Sequence, residues 1–322
     1  MTKCLPLLFS LCALFNTTLA EAETVFVTLE KDNALAVIDP IAGVLTKTVA
    51  IGARPRGIAL SPDSKILFVA VSDENTIKML DANTLQELGK LPSGDDPETF
   101  ALSPAGDKLY VSNEDDSLVT VIDIAQKKAI KQIKVGVEPE GITVSPDNKW
   151  LISATETTNM VHWINTKDYQ IEENTLVDPR PRAASFTADS QQLWVTSEMA
   201  GTLMIYDAAN KQLVKNLTFG VNGVNADKIQ PVGIAIDKQR QKAFVALGPA
   251  NHVAVINAQT YEIEKNLLVG ARVWNLAFSP DEKRLYTTNG LSNDISIIDV
   301  DSLTVTKSIA VGTSPWGVAV KP

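Results

Sequence analysis

Short apolar runs separated by clusters of Asp, Asn, Gly, Pro and Ser fill the chain from residue 24 to its end. The segment 57–91 shows the pattern: an apolar run at 57–60, a Ser61-Pro62-Asp63 turn, a second run at 66–71, a polar loop, a third at 76–80, a turn opened by Asp81, and a fourth at 85–91. Runs this short, bounded by turn residues and without sustained helical periodicity, predict β-strands. The pattern then recurs. Residues opening the second run fall at Phe26, Phe68, Tyr110, Ile152, Trp194, Phe244 and Tyr286, in steps of 42, 42, 42, 42, 50 and 42. Residues ending the third run, Asp39, Asp81, Asp123, Asn165, Asp207, Asn257 and Asp299, repeat those steps, and each side chain is suited to close an Asx-type turn. In a third register, Gly52, Gly94, Gly136, Asp178, Gly220, Gly270 and Gly312, the long step comes one interval later, which places the eight extra residues at 221–228.

Four strands every 40 to 45 residues predict an all-β fold, a seven-bladed β-propeller, in which ring closure removes free sheet edges. The chain ends on a lone first strand, Pro315-Trp316-Gly317-Val318-Ala319-Val320, and begins, at 24–51, with a unit lacking one. The C-terminal strand is therefore expected to pair with the N-terminal three. Residues 23–322 are read as this single domain, following a secretory leader at 1–22 with Lys3, an apolar stretch at 5–15 and the small-residue site Ala20-Glu21-Ala22. Cys4 and Cys12 both lie in that leader, so the exported protein, expected in the periplasm, carries no thiol chemistry. A formal charge of −9 argues against nucleic acid, and no run is long enough for a membrane-spanning helix. A monomer is expected.

Tyr110-Val111-Ser112-Asn113 and Tyr286-Thr287-Thr288-Asn289, with the following Val119-Thr120-Val121-Ile122-Asp123 and Ile295-Ser296-Ile297-Ile298-Asp299, resemble the YVTN family of propeller repeats. Blade-specific segments such as Arg54-Pro55-Arg56-Gly57, Glu138-Pro139-Glu140-Gly141, Glu156-Thr157-Thr158-Asn159-Met160 and Gly248-Pro249-Ala250-Asn251 resemble one subfamily, the PQQ-dependent catabolism-associated β-propeller proteins. This resemblance implies a periplasmic protein associated with transport components and PQQ-dependent alcohol oxidation. PQQ enters only by that association, and no catalytic residue is carried over.

The tripeptides opening the first strand of each unit are expected to ring the mouth of the axial channel. They read Arg54-Pro55-Arg56, Asp96-Pro97-Glu98, Glu138-Pro139-Glu140, Arg180-Pro181-Arg182, Gln230-Pro231-Val232, Arg272-Val273-Trp274 and Ser314-Pro315-Trp316. The repeat explains Pro but not these charges. They read either as a binding mouth, with arginines gripping a small anionic ligand or a periplasmic partner and Trp274 and Trp316 stacking on it, or as a self-neutralising girdle with the tryptophans plugging the channel. Glu114, Asp115, Asp116 and Glu156 join Asp96, Glu98, Glu138 and Glu140 on that face, enough carboxylates for a hard cation but also what a hydrated acidic surface looks like. The two histidines, His162 and His252, lie in third strands and are expected to pack. The leading expectation is a non-enzymatic binding protein that acts through the mouth. The alternatives are a lactonase-like or haem-linked propeller enzyme, which would want a histidine at the mouth, and an interaction scaffold.

Overall fold

The computed structural model describes residues 23–322; the expected leader, with Cys4, Cys12 and the cleavage point after Ala22, lies outside them. Seven antiparallel four-stranded sheets form the ring. In six of them the strands run from the axis outwards in chain order, for example Pro55–Leu60, Ile66–Val71, Thr76–Asp81 and Glu87–Pro92. Burial follows that order. The second and third strands are closed in between neighbouring blades, so that Phe26, Phe68, Tyr110, Ile152, Trp194, Phe244 and Tyr286 are all buried, while outer strands such as Val44–Ala50 and Lys128–Lys134 face solvent. The Asx turns form as expected: the Asp81 carboxylate accepts from the backbone N–H groups of Asn83 at 2.9 Å and Thr84 at 2.8 Å, and Asp39, Asp207 and Asn257 repeat the arrangement.

The ring closes as the chain ends predict. Pro315–Lys321 pairs with Thr24–Leu29, with Val25 opposite Val320 and Val27 opposite Val318, completing a sheet with Ala34–Asp39 and Val44–Ala50. A second tie runs from Arg284 and the Tyr286 hydroxyl to the carboxylate of Glu23.

Among the described residues the blades share no continuous backbone ladder; their inner parts are tied by single backbone bonds, such as that from the Gly233 N–H to the Trp274 carbonyl at 3.0 Å, and by side chains of the second strands. Hydroxyls of Thr28, Thr196 and Thr288 donate to the carbonyls of Arg56, Val232 and Trp316, at 2.8, 2.8 and 2.6 Å. Glycine makes this approach possible: a Cβ on Gly141 would lie 2.7 Å from the Arg182 carbonyl oxygen of the next blade, and one on Gly233 would lie 2.5 Å from that of Trp274.

The insertion at 221–228 includes a short helical turn, Ala226–Lys228, and its Val221 and Val224 pack on the apolar cluster built around Trp194 and Ile229. It shortens the adjoining inner strand to Ile234–Ile236. Gln230-Pro231-Val232 therefore approaches the axis as loop, unlike the other tripeptides.

Candidate functional site

The mouth residues are positioned by the preceding blade. Arg54, Asp96, Glu138, Arg180, Arg272 and Ser314 all have left-handed backbones, with φ between 49° and 61°. Such a conformation is uncommon for residues other than glycine and needs support. In five of the six it is provided by an asparagine carboxamide from the hairpin one blade back: Asn33, Asn75, Asn159, Asn251 and Asn293 accept the N–H of Arg54, Asp96, Arg180, Arg272 and Ser314 at 2.8–3.1 Å. The residue after each proline then points its side chain towards the axis.

There the charges pair. Arg54 contacts Asp73, Asp96 and Glu98; Arg56 contacts Glu98 and, at 3.5 Å, Glu30. On the other side Arg182 lies 2.8 Å from Glu140 and 2.5 Å from Glu156, Arg180 bridges Glu156 and Glu198, and Arg272 reaches Glu198 at 2.9 Å and Gln230 at 3.0 Å. The guanidiniums of Arg182 and Arg272 lie 5.4 and 4.1 Å from the Trp274 ring, and that of Arg56 lies 5.5 Å from the Trp316 ring. Of the two sequence readings, the girdle describes the arginines: every one of them is taken by a carboxylate.

Two predicted residues stand apart. Glu138 only accepts a hydrogen bond from the Thr157 hydroxyl, and Asp116 caps the Asp95 N–H at 2.8 Å. Of the cation candidates, Asp96, Glu98 and Glu114 converge, with one oxygen from each within 4.8 Å of the others. Asp96 and Glu98 are already held by arginine, Asp115 is exposed at the rim, and Glu156 is buried between Arg180 and Arg182. Glu30 and Glu198 belong to the network but were not among the residues read from the sequence. They share the 42-residue register of Glu114 and Glu156, which is the signal that could have found them.

Acids still outnumber bases at the mouth, and the surplus shows in the protonation of its innermost carboxyls. Burial pushes the fully buried Glu98 up to about 7 against the pull of Arg56, with the hydrogen-bonded carboxyl of Glu114 pushing the same way. Burial also raises Glu140 well above the carboxylate range against the pull of Arg182, helped by a hydrogen bond with Glu156. An acid whose pKa is higher folded than unfolded stabilises the fold fully below its unfolded value, and that contribution is lost as pH rises through the folded value. Stability is therefore expected to fall between about pH 4.5 and 7, by on the order of 3 kcal/mol from Glu98 alone. The buried His162, held below its ordinary value by desolvation, acts in the opposite direction in the upper part of that window. Urea melts of wild type and Glu98→Gln at pH 5 and pH 8 isolate the term: the wild type should lose more stability than the variant, and equal losses would remove Glu98 from the account.

The mouth leads into two cavities. The outer one, about 360 Å³, is rimmed by Arg54, Asp96, Asp115, Arg180 and Arg272. The inner one, about 180 Å³, lies in the upper channel among the innermost strands. Glu140, Arg182 and Trp274 line both and form the neck between them. Neither histidine lines either cavity. His162 sits inside its blade, accepting the Gly136 N–H at 2.9 Å and bonded to Asn174 at 2.6 Å, and the His252 ring bonds the Ala250 carbonyl.

A family model for the choice-of-anchor I domain matches residues 117–278, half of the chain. The chain belongs to the choice-of-anchor I domain family. A model described as a seven-bladed β-propeller lactonase matches residues 24–134. Among solved structures, the fold is similar to a Bacteroides uniformis protein provisionally named a 6-phosphogluconolactonase, with 13% identity, 94% of this chain and 100% of that one covered, and a TM-score of 0.79. A Bacteroides fragilis protein of the same provisional name gives 18%, 95%, 99% and 0.78. Dihydro-heme d1 dehydrogenase NirN, solved in complex with DHE, gives 14%, 89%, 63% and 0.67. No curated protein matches the sequence. At these identities the structures establish the propeller fold.

These matches correct the leading expectation. A non-enzymatic accessory protein of PQQ-dependent alcohol oxidation gives way to the enzyme alternative, because the family model matched at 24–134 is described as a lactonase. The physical reason lies in the mouth, where the arginines expected to grip an anionic partner are already spent on carboxylates.

Proposed function

We propose that the mouth is a lactonase-like hydrolytic site, in which Glu140 moves the proton when a cyclic ester is opened by water. The observation that carries the reading is the position of Glu140: almost fully buried, raised in pKa, paired with Arg182 at 2.8 Å, and facing both the outer and the inner cavity. A carboxyl held above its usual range is a more effective proton carrier near neutral pH than an ordinary one. The lactonase model match on 24–134 favours this over the haem-linked version.

In the proposed step, ionised Glu140 accepts a proton as water adds to the ester carbonyl. Arg182, held in place by Glu140 and Glu156, balances the negative charge that develops on the carbonyl oxygen. Glu140 then returns the proton to the ring oxygen as the acyl C–O bond breaks, leaving a hydroxy acid. In the same proposal the chain acts after export, in the periplasm.

The test is proton release followed by pH-stat with five- and six-membered lactones. Glu140→Gln is expected to lower kcat by about 10²–10⁴-fold, while wild-type activity rises with pH along a titration lying above the ordinary carboxylate range. Failure of the wild type to exceed the uncatalysed rate with any lactone would overturn the reading.

A further inference from the structure

We infer that the inner cavity selects small, unphosphorylated, hydroxyl-poor lactones of one ring, and not sugar lactones. The inference rests on the lactone-opening role proposed for Glu140 and narrows its substrate. Size is the first argument. The inner cavity is about 180 Å³, close to the roughly 150 Å³ engineered apolar cavity that takes up benzene. One five- or six-membered ring with a methyl-sized substituent fills such a space. A phosphorylated six-carbon lactone does not fit within it and would have to leave its phosphate in the outer cavity.

The lining is the second argument. Ile142, Val232, Ile234 and Leu276 supply the apolar part of the lining together with Trp274 and Trp316. Two of the polar side chains facing this cavity are already used: the Thr99 hydroxyl donates to the Glu140 carbonyl, and the Asn275 amide donates to the Trp316 carbonyl at 2.9 Å. Glu140 and Arg182, which hold each other at 2.8 Å, are the pair that the hydrolytic reading assigns to one ester group. Additional ring hydroxyls would be buried without partners, at roughly ten- to a hundredfold in affinity each.

Charge is the third argument. A phosphate left in the outer cavity would need a free cation, but Arg54, Arg56, Arg180, Arg182 and Arg272 are all ion-paired. Asp115 and Glu114 line the same cavity and add negative charge. The blade that follows the insertion at 221–228 adds to this selectivity, presenting neutral Gln230 and apolar Val232 where the other blades present charged residues or tryptophan.

The experiment separates this inference from the catalytic reading by measuring binding as well as turnover. Binding of δ-valerolactam, which resists hydrolysis, and of 6-phosphogluconate is measured by calorimetry. Wild-type kcat/KM is measured for δ-valerolactone, glucono-δ-lactone and 6-phosphogluconolactone. The lactam is expected to bind with one site and 6-phosphogluconate at least about 100-fold more weakly; kcat/KM should favour δ-valerolactone by a similar factor. Selective lactam binding without turnover of any lactone supports the ligand class while overturning the hydrolytic role. Binding of the phosphorylated acid as tightly as the lactam, or no lactam binding at all, overturns the inference.

Discussion

Removing residues 316–322 is expected to destroy the cooperative unfolding transition. The lost strand is the innermost one of the closing blade, paired along its length with Thr24–Leu29. Its removal uncovers Val25, Phe26 and Val27, each at most 1% exposed in the intact ring. It also takes away the Trp316 carbonyl, leaving the Thr288 hydroxyl and the Asn275 amide without their acceptor. Domains of this kind are typically stable by about 5–15 kcal/mol, and loss of a complete central strand is of that order. Calorimetry checks it: the truncated chain should show no sharp transition, and adding the peptide 315–322 should restore one. A truncated protein that melts as the wild type does would mean that the ring does not depend on this closure.

The second large effect is expected at Arg182. Its side chain is 10% exposed and lies among Glu140, Glu156 and Glu198, with Trp274 at 5.4 Å. Arg182→Ala leaves buried carboxylates without their counter-charge, a change that costs about 3–5 kcal/mol in comparable buried pairs. The deficit should shrink as pH falls towards 5, since protonated glutamates no longer need the guanidinium. Arg182→Ala/Glu140→Gln should recover part of the loss. Urea melts of the single and double variants at pH 8 and pH 5 check this. A single variant within about 1 kcal/mol of wild type at pH 8 would show that surrounding water, not Arg182, balances the acids.

Comparison of the two scales shows what a sequence of this kind discloses. The blades were legible because their determinants are local: short apolar runs bounded by turn residues, an Asx turn at Asp81 or Asn257, a proline in six of the seven mouth tripeptides. Closure was legible because both chain ends carried partial units. Most mouth residues were legible as well, since Arg56, Glu98, Glu140, Arg182, Trp274 and Trp316 occupy one register. Their pairing was not. Whether Arg182 faces solvent or Glu156 depends on how side chains of different blades meet at the axis, and no spacing along the chain encodes that. Glu30 and Glu198 escaped notice because each stands as a single acid in its loop, followed by Lys31 and Met199, whereas Glu114-Asp115-Asp116 announces itself as a run. Glu138 misled for the opposite reason, being part of an acidic tripeptide yet turned towards Thr157.

The asparagine clamps have a consequence for how such a ring can be altered. Asn75 belongs to one sheet but holds the backbone of Asp96 in the next, and Asn159 does the same for Arg180. The inheritable unit of the mouth is thus staggered against the sheet: it begins at one blade's hairpin and ends in its neighbour's first strand. A graft that moved a whole sheet from another propeller would import a tripeptide without its own clamp and strand the clamp it brought. Exchange of segments cut at mid-blade, from hairpin to following inner strand, would carry a working piece of the rim intact.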